Sequence, residues 1–146
     1  MEAASGKAPV YIWDLTTKKC IQDLVHHKSG VQAMAFSDDD LFLVTIGAAP
    51  DSCIVAWQVR TGELTAISVT KSPIHSIAWR PLAAVPEFIT VGEDSALHWL
   101  LTDGKLVNKM LPMPGGDQRK HFTSVCFRDF STFFIGDSNG CVWIVE

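Results

Sequence analysis

Apolar residues fall along this chain in short bursts rather than long stripes. Segments such as VYIWDL (10–15), VQAMAFS (31–37), LVTIG (43–47) and IVAWQV (54–59) are rich in Val, Ile, Thr and aromatic residues. Gly, Pro, Asp and Ser separate them. That pattern predicts β-strands bounded by turns. No stretch keeps an apolar period of 3.6 over the roughly ten residues a helix needs.

The bursts repeat. VQAMAFS, IHSIAWR (74–80) and FTSVCFR (122–128) share one pattern. LVTIG, FITVG (88–92) and TFFIG (132–136) share a second, and their glycines 47, 92 and 136 lie 45 and 44 residues apart. A third class comprises VYIWDL, IVAWQV, ALHWLL (96–101) and VWIVE (142–146), with Trp13, Trp57 and Trp99 spaced by 44 and 42 residues. CIQDLVH (20–26), LTAISVT (64–70) and LVNKML (106–111) fill the remaining gaps. Four strands in about 44 residues is the period of a β-propeller blade.

The expected fold is therefore all-β: a propeller segment of three four-stranded blades plus one orphan outer strand. The blades are placed at about 20–58, 64–101 and 106–146, the orphan strand at 10–15, and residues 1–9 form a flexible N-terminal segment. Blades bury their faces only against neighbouring blades, so three of them make an open arc with apolar end faces. The missing blades are expected from the same longer chain or from another chain, and the isolated chain is expected to behave poorly as a monomer. Recurrence at one slot assigns Trp13, Trp57 and Trp99 to packing between blades, and Trp79 joins the same core.

Composition narrows the function. A net charge of -4 argues against general nucleic-acid binding, which needs a basic footprint. Apolar runs fall far short of the roughly 20 residues of a membrane helix, and the N-terminus lacks a signal-peptide pattern. Cys20, Cys53, Cys126 and Cys141 show no Cys-x-x-Cys spacing and are expected to be buried free thiols, which suits a cytoplasmic location.

Gly136-Asp-Ser-Asn-Gly140 has the look of a trypsin-like nucleophile loop around Ser138. The same Asp-Ser pair recurs at Asp51-Ser52 and Asp94-Ser95, each time after the second strand class. Threefold recurrence marks a turn device, in which Asp and Ser bond the local backbone. Histidines 26, 27, 75, 98 and 121 read as turn or core residues, and no His/Cys/Asp/Glu set has metal-ligand spacing. PMPGGDQRKH (112–121) has glycines but no phosphate-cradle ending and reads as a surface loop. No catalytic, cofactor-binding or metal residue is assigned. Neither set of loops is net basic, and the local basic pairs Lys18-Lys19 and Arg119-Lys120 are the candidate partner-binding residues.

YIWD (11–14) carries a Trp-Asp pair. Together with TGELTAISVTKSPIHSIAW (61–79), IHSIAWRP (74–81), FITVGEDSALHW (88–99), FTSVCF and FIGDSNG, it resembles the echinoderm microtubule-associated protein-like family of WD-repeat propellers. The resemblance implies a non-catalytic protein-interaction scaffold, associated with microtubules, cytoskeleton or cilium, with tubulin among its partners. The alternative is a propeller scaffold of another complex, such as a ubiquitin-ligase adaptor or a trafficking assembly. The chain departs from regular repeats. Trp-Asp occurs once, Trp57-Gln58 and Trp99-Leu100 follow, and Val145 takes the last Trp slot. The Gly-His pair is missing, and only His26 and His27 stand near its place, so the His-Asp-Ser/Thr-Trp network of regular repeats is not assigned from the sequence.

Overall fold

Alternating apolar positions need a partner on each pleated face, and the chain satisfies them by stacking sheets side by side. The computed structural model describes residues 6–113 and 121–146, and thirteen strands lie among them with no helix. β1 (Val10–Asp14) and β2 (Lys19–Leu24) form a two-stranded sheet. β3 (Val31–Phe36), β4 (Phe42–Gly47), β5 (Cys53–Gln58) and β6 (Leu64–Val69) form a four-stranded sheet in chain order. β7 (Ile74–Trp79), β8 (Glu87–Gly92), β9 (Ser95–Thr102) and β10 (Lys105–Met110) repeat it. β11 (Phe122–Phe127), β12 (Phe133–Asp137) and β13 (Val142–Val145) make a three-stranded sheet. Every pairing is antiparallel.

The all-β propeller class stands, but the blades begin one strand later than expected. Strand 10–14 is no orphan, because it pairs with 19–24. Likewise 64–69 pairs with β5 and 105–110 with β9, so these strands close a blade rather than open one. The cause is that a period has no marked start. The phase is set by burial: β4 and β5 are buried on both faces and must be central, whereas β6 and β10 are half-exposed edges. The innermost strands are β3, β7 and β11, which lie against one another in that order.

Each sheet interface has its own core. Val10, Ile12 and Leu24 of the first sheet meet Leu43, Val55 and Trp57 of the second. The opposite face of that second sheet presents Val44, Ile46, Ile54 and Ala56 to Ile74, Phe88 and Trp99 of the third. Ile89, Val91 and Ala96 then meet Phe122, Val125, Phe133 and Ile135. The switch from one neighbour to the other along β4 is the two-residue strand period made visible. Specific bonds cross the seams: the Trp79 indole N–H donates to the Ala35 carbonyl at 2.9 Å, and the Val125 amide donates to Ser76 Oγ at 3.2 Å.

Two glycines at the end of central strands are close-approach positions. A Cβ on Gly47 would lie 2.6 Å from Asp51 Oδ2 and 2.8 Å from His27 Nδ1. One on Gly92 would lie 2.0 Å from the Pro73 carbonyl oxygen. In the last sheet the expected third copy, Gly136, is displaced. Gly47 pairs with Val31 and Gly92 with Ile74, while the residue facing Phe122 is Asp137.

The ends of the arc are open. Trp13 is 58% exposed, contrary to its expected packing between blades. In their own sheets Trp57 and Trp99 face the preceding blade, and no preceding sheet covers β1 among the described residues. Met34 and Phe36 are exposed on β3, and Val142 and Ile144 on β13. The cysteine expectation fails for the same reason: Cys53 is buried inside a stacked sheet, while Cys20, Cys126 and Cys141 lie exposed on the outer sheets.

Candidate functional site

The densest polar cluster in the described chain sits at the seam of β4, β5 and the segment entering β3. Thr45 lies on central strand β4 and is wholly buried. Its Oγ1 accepts the Trp57 indole N–H at 2.9 Å and lies 2.7 Å from His27 Nε2. His27, 1% exposed, places its other nitrogen, Nδ1, 3.0 Å from Asp51 Oδ2. Asp51 comes from the β4–β5 turn and also accepts the Lys28 amide at 3.2 Å and the Cys53 thiol at 3.3 Å. One protonation pattern satisfies every partner: Trp57 donates to Thr45, Thr45 to His27 Nε2, and His27 Nδ1–H to Asp51. This is the His-Asp-Thr-Trp network that the missing Gly-His pair left unassigned. His27 supplies it without the glycine, and the ring of the preceding residue, His26, stands edge-on to it.

Burial works to raise the Asp51 carboxyl, but hydrogen bonds from His27, Cys53 and the Lys28 amide together hold it below its ordinary value. Burial, reinforced by the Asp51 carboxylate, pushes the Cys53 thiol up to about 11. His27, Asp51 and Cys53 do bring one ligand atom each within 4.8 Å of one another. Their chemistry fits a lock better than a metal centre. Metal binding at Nδ1 would remove the proton donated to Asp51, and the resulting Nε2–H would take from the buried Thr45 hydroxyl the acceptor of its own proton.

The network thins along the arc. In the next blade Trp99 Nε1 donates to Thr90 Oγ1 at 2.8 Å, so the indole–hydroxyl pair recurs. By strand register the last blade places Ile135 and Val145 where the earlier ones have Thr and Trp. Both polar members are lost together, which leaves neither unsatisfied. There Trp143 Nε1 instead donates to Asp137 Oδ2 at 2.9 Å. Asp137 also accepts the Asn139 and Cys141 amides, so the loop around Ser138 is a turn with the serine exposed at its tip.

A second cluster lies between the last two sheets and escaped the sequence reading. Glu87 accepts Arg80 Nη1 at 2.8 Å and meets His98 Nε2 at 2.5 Å. Arg80 Nε donates to the Phe130 carbonyl at 2.7 Å, and its guanidinium lies 4.1 Å from the centre of the Phe130 ring. The alternation of β8 and β9 could have placed Glu87 beside His98, but not Arg80 against Phe130.

The candidate partner-binding residues do not converge among the described residues. Lys18, at the end of the β1–β2 turn, and Lys19, the first residue of β2, are exposed; in that turn Asp14 accepts the Thr16 and Thr17 amides at 2.8 Å each and its carboxyl is thereby held low. Arg119 and Lys120, with most of the 112–121 loop, lie outside the described residues. Trp57, Trp79 and Trp99 are buried, at 3%, 7% and 0% exposed.

Comparison with known proteins fits this architecture. No family model matches the chain. It is 34% identical over 145 residues to mouse (Mus musculus) WD repeat-containing protein 90, covering 95% of this chain and 8% of that protein. It is 35% identical over 113 residues to Centriole proteome protein 16 of Chlamydomonas reinhardtii, covering 75% of this chain and 5% of that one. Cilia- and flagella-associated protein 52 of the same alga is 30% identical over 120 residues, covering 81% and 19%. The chain thus spans a small fraction of the relatives it matches. Among solved structures, the β-propeller domain of Cps50 (Swd1) from Myceliophteria thermophila superposes with a TM-score of 0.79 at 15% identity, covering all of this chain and 53% of that domain's chain. At that identity the likeness shows the fold alone.

Proposed function

Taking the chain as an arc of a WD-repeat β-propeller, we propose that it is part of a non-catalytic docking scaffold in a centriole- or cilium-associated protein. The observation that carries the scaffold reading is the fate of the most buried titratable cluster among the described residues. His27, Asp51 and Cys53 bond to one another, to Thr45 and to Lys28, so their donors and acceptors hold a blade instead of facing a substrate. The work falls to the loops and the sheet ends.

The location rests on relatives whose names place them in centrioles, cilia and flagella. The resemblance to echinoderm microtubule-associated protein-like proteins points the same way, and tubulin is the partner it suggests. In this reading the exposed Met34, Phe36, Val142 and Ile144 are covered by the remaining blades of a ring. Fluorescent tagging of the whole protein in ciliated cells tests the location: enrichment at basal bodies or axonemes is expected, and uniform cytoplasmic fluorescence overturns it. Co-sedimentation with microtubules tests the partner, and failure to pellet removes tubulin while leaving the scaffold.

A further inference from the structure

Alternate turns of an antiparallel sheet lie at the same end, so the β3–β4 and β7–β8 connections share one rim of the arc. Between them opens a cleft of about 490 Å³. Its apolar lining includes Leu41, Ala84, Pro86 and the buried Trp79. Leu82 stands at the lip, 88% exposed, on a backbone held at φ 55°. A leucine held in the left-handed region is backbone-unfavourable.

The charge of the cleft is one-sided. Asp38 and Asp39 line it, and Asp40 follows on the same loop. Asp39 is used in the turn, accepting the Ser37 hydroxyl at 2.6 Å and the Leu41 amide at 3.0 Å. Asp38 and Asp40 are exposed and make no side-chain bond among the described residues. The opposing cation, Arg80, is already neutralised by Glu87 and held over Phe130. An apolar slot with an uncompensated acidic lip is complementary to a cation next to a hydrocarbon side chain.

We infer that this inter-blade cleft docks a short basic-apolar segment of a partner protein. An aliphatic side chain enters over Trp79 and beside Leu82, and flanking arginines or lysines meet Asp38 and Asp40. The inference deepens the docking-scaffold reading and rests on it.

The test is fluorescence anisotropy on the whole protein with a fluorescein-labelled glycine-arginine-leucine-arginine-glycine peptide. Saturable binding is expected, weakened at least about fivefold by Asp38→Asn with Asp40→Asn, and also weakened by Leu82→Ala. Asp38→Lys with Asp40→Lys is expected to reverse the preference, toward the same peptide with glutamates for arginines. A purely structural role for the loop would not produce that exchange. No saturable binding, or binding indifferent to the aspartates and to peptide charge, overturns the inference. The localisation experiment above is unaffected by that failure, so the two readings fall separately.

Discussion

Thr45 and Trp57 sit diagonally across neighbouring central strands, Thr45 paired with Val55 and Trp57 with Leu43, and the indole N–H donates to the hydroxyl at 2.9 Å. The same oxygen lies 2.7 Å from His27, so one buried hydroxyl joins a strand core to the loop that enters the blade. Replacing Thr45 by Val keeps the shape and removes both bonds. The buried indole and imidazole are then left unsatisfied, which costs about 1–3 kcal/mol. Thr90→Val strands only Trp99 and is expected to cost less. Denaturant unfolding of the two variants checks the order.

Gly47 and Gly92 predict a second ordering. A methyl on Gly92 meets the Pro73 backbone oxygen, which cannot move without displacing the start of β7. A methyl on Gly47 meets the ends of the Asp51 and His27 side chains, which can swing aside if their bond breaks. Both alanine variants are destabilised, by about 1–3 kcal/mol or more, with Gly92→Ala the worse. Melting temperatures measure the difference.

Acid reports on Asp51. Its folded carboxyl is held below the ordinary value of 3.8. Its contribution is therefore fully present above that value and lost as pH falls through the lower folded one. The stability gap between wild type and Asp51→Asn is expected to stay constant at neutral and mildly acidic pH, then shrink below pH 3.8. Unfolding curves collected from pH 7 to about pH 2 check it. A gap that widened in acid would contradict the assignment.

The tryptophans divide by position. Trp57→Ala removes a ring buried between two sheets and is expected to cost about 3–5 kcal/mol. Trp13→Ala removes an exposed ring and is expected to cost less than about 1 kcal/mol in the chain alone. Covering β1 with a preceding blade should raise the second value toward the first, which denaturant melts of the chain alone and of the whole protein compare.

These contrasts show what the sequence carried. Strand content and blade period were legible because alternation and turn residues are local. The blade boundary was also written there, in the contrast between IVAWQV, apolar but for Gln58, and the mixed polar-apolar LTAISVT, but periodicity alone does not read it. The His27 network was hidden because its members come from a loop, a turn and two strands, separated by up to 30 residues. The last blade misled because Gly136 matches Gly47 by eye, whereas the register pairs Asp137 in that place. The cleft beside Asp38 depends on two loops 44 residues apart and leaves no local signature.

The central claim is that this arc presents open faces which further blades cover. Cys126 reads it directly. It lies exposed on β11, opposite Phe134, which in turn faces Ile144, on the side away from the buried Val125. Cys53 is buried inside the stack and serves as the internal standard. Thiol-labelling rates compared between the isolated chain and the whole protein decide the matter. Cys126 should label rapidly in the isolated chain and at least about tenfold more slowly in the whole protein, with Cys53 protected in both. Equal Cys126 rates in the two would contradict the claim.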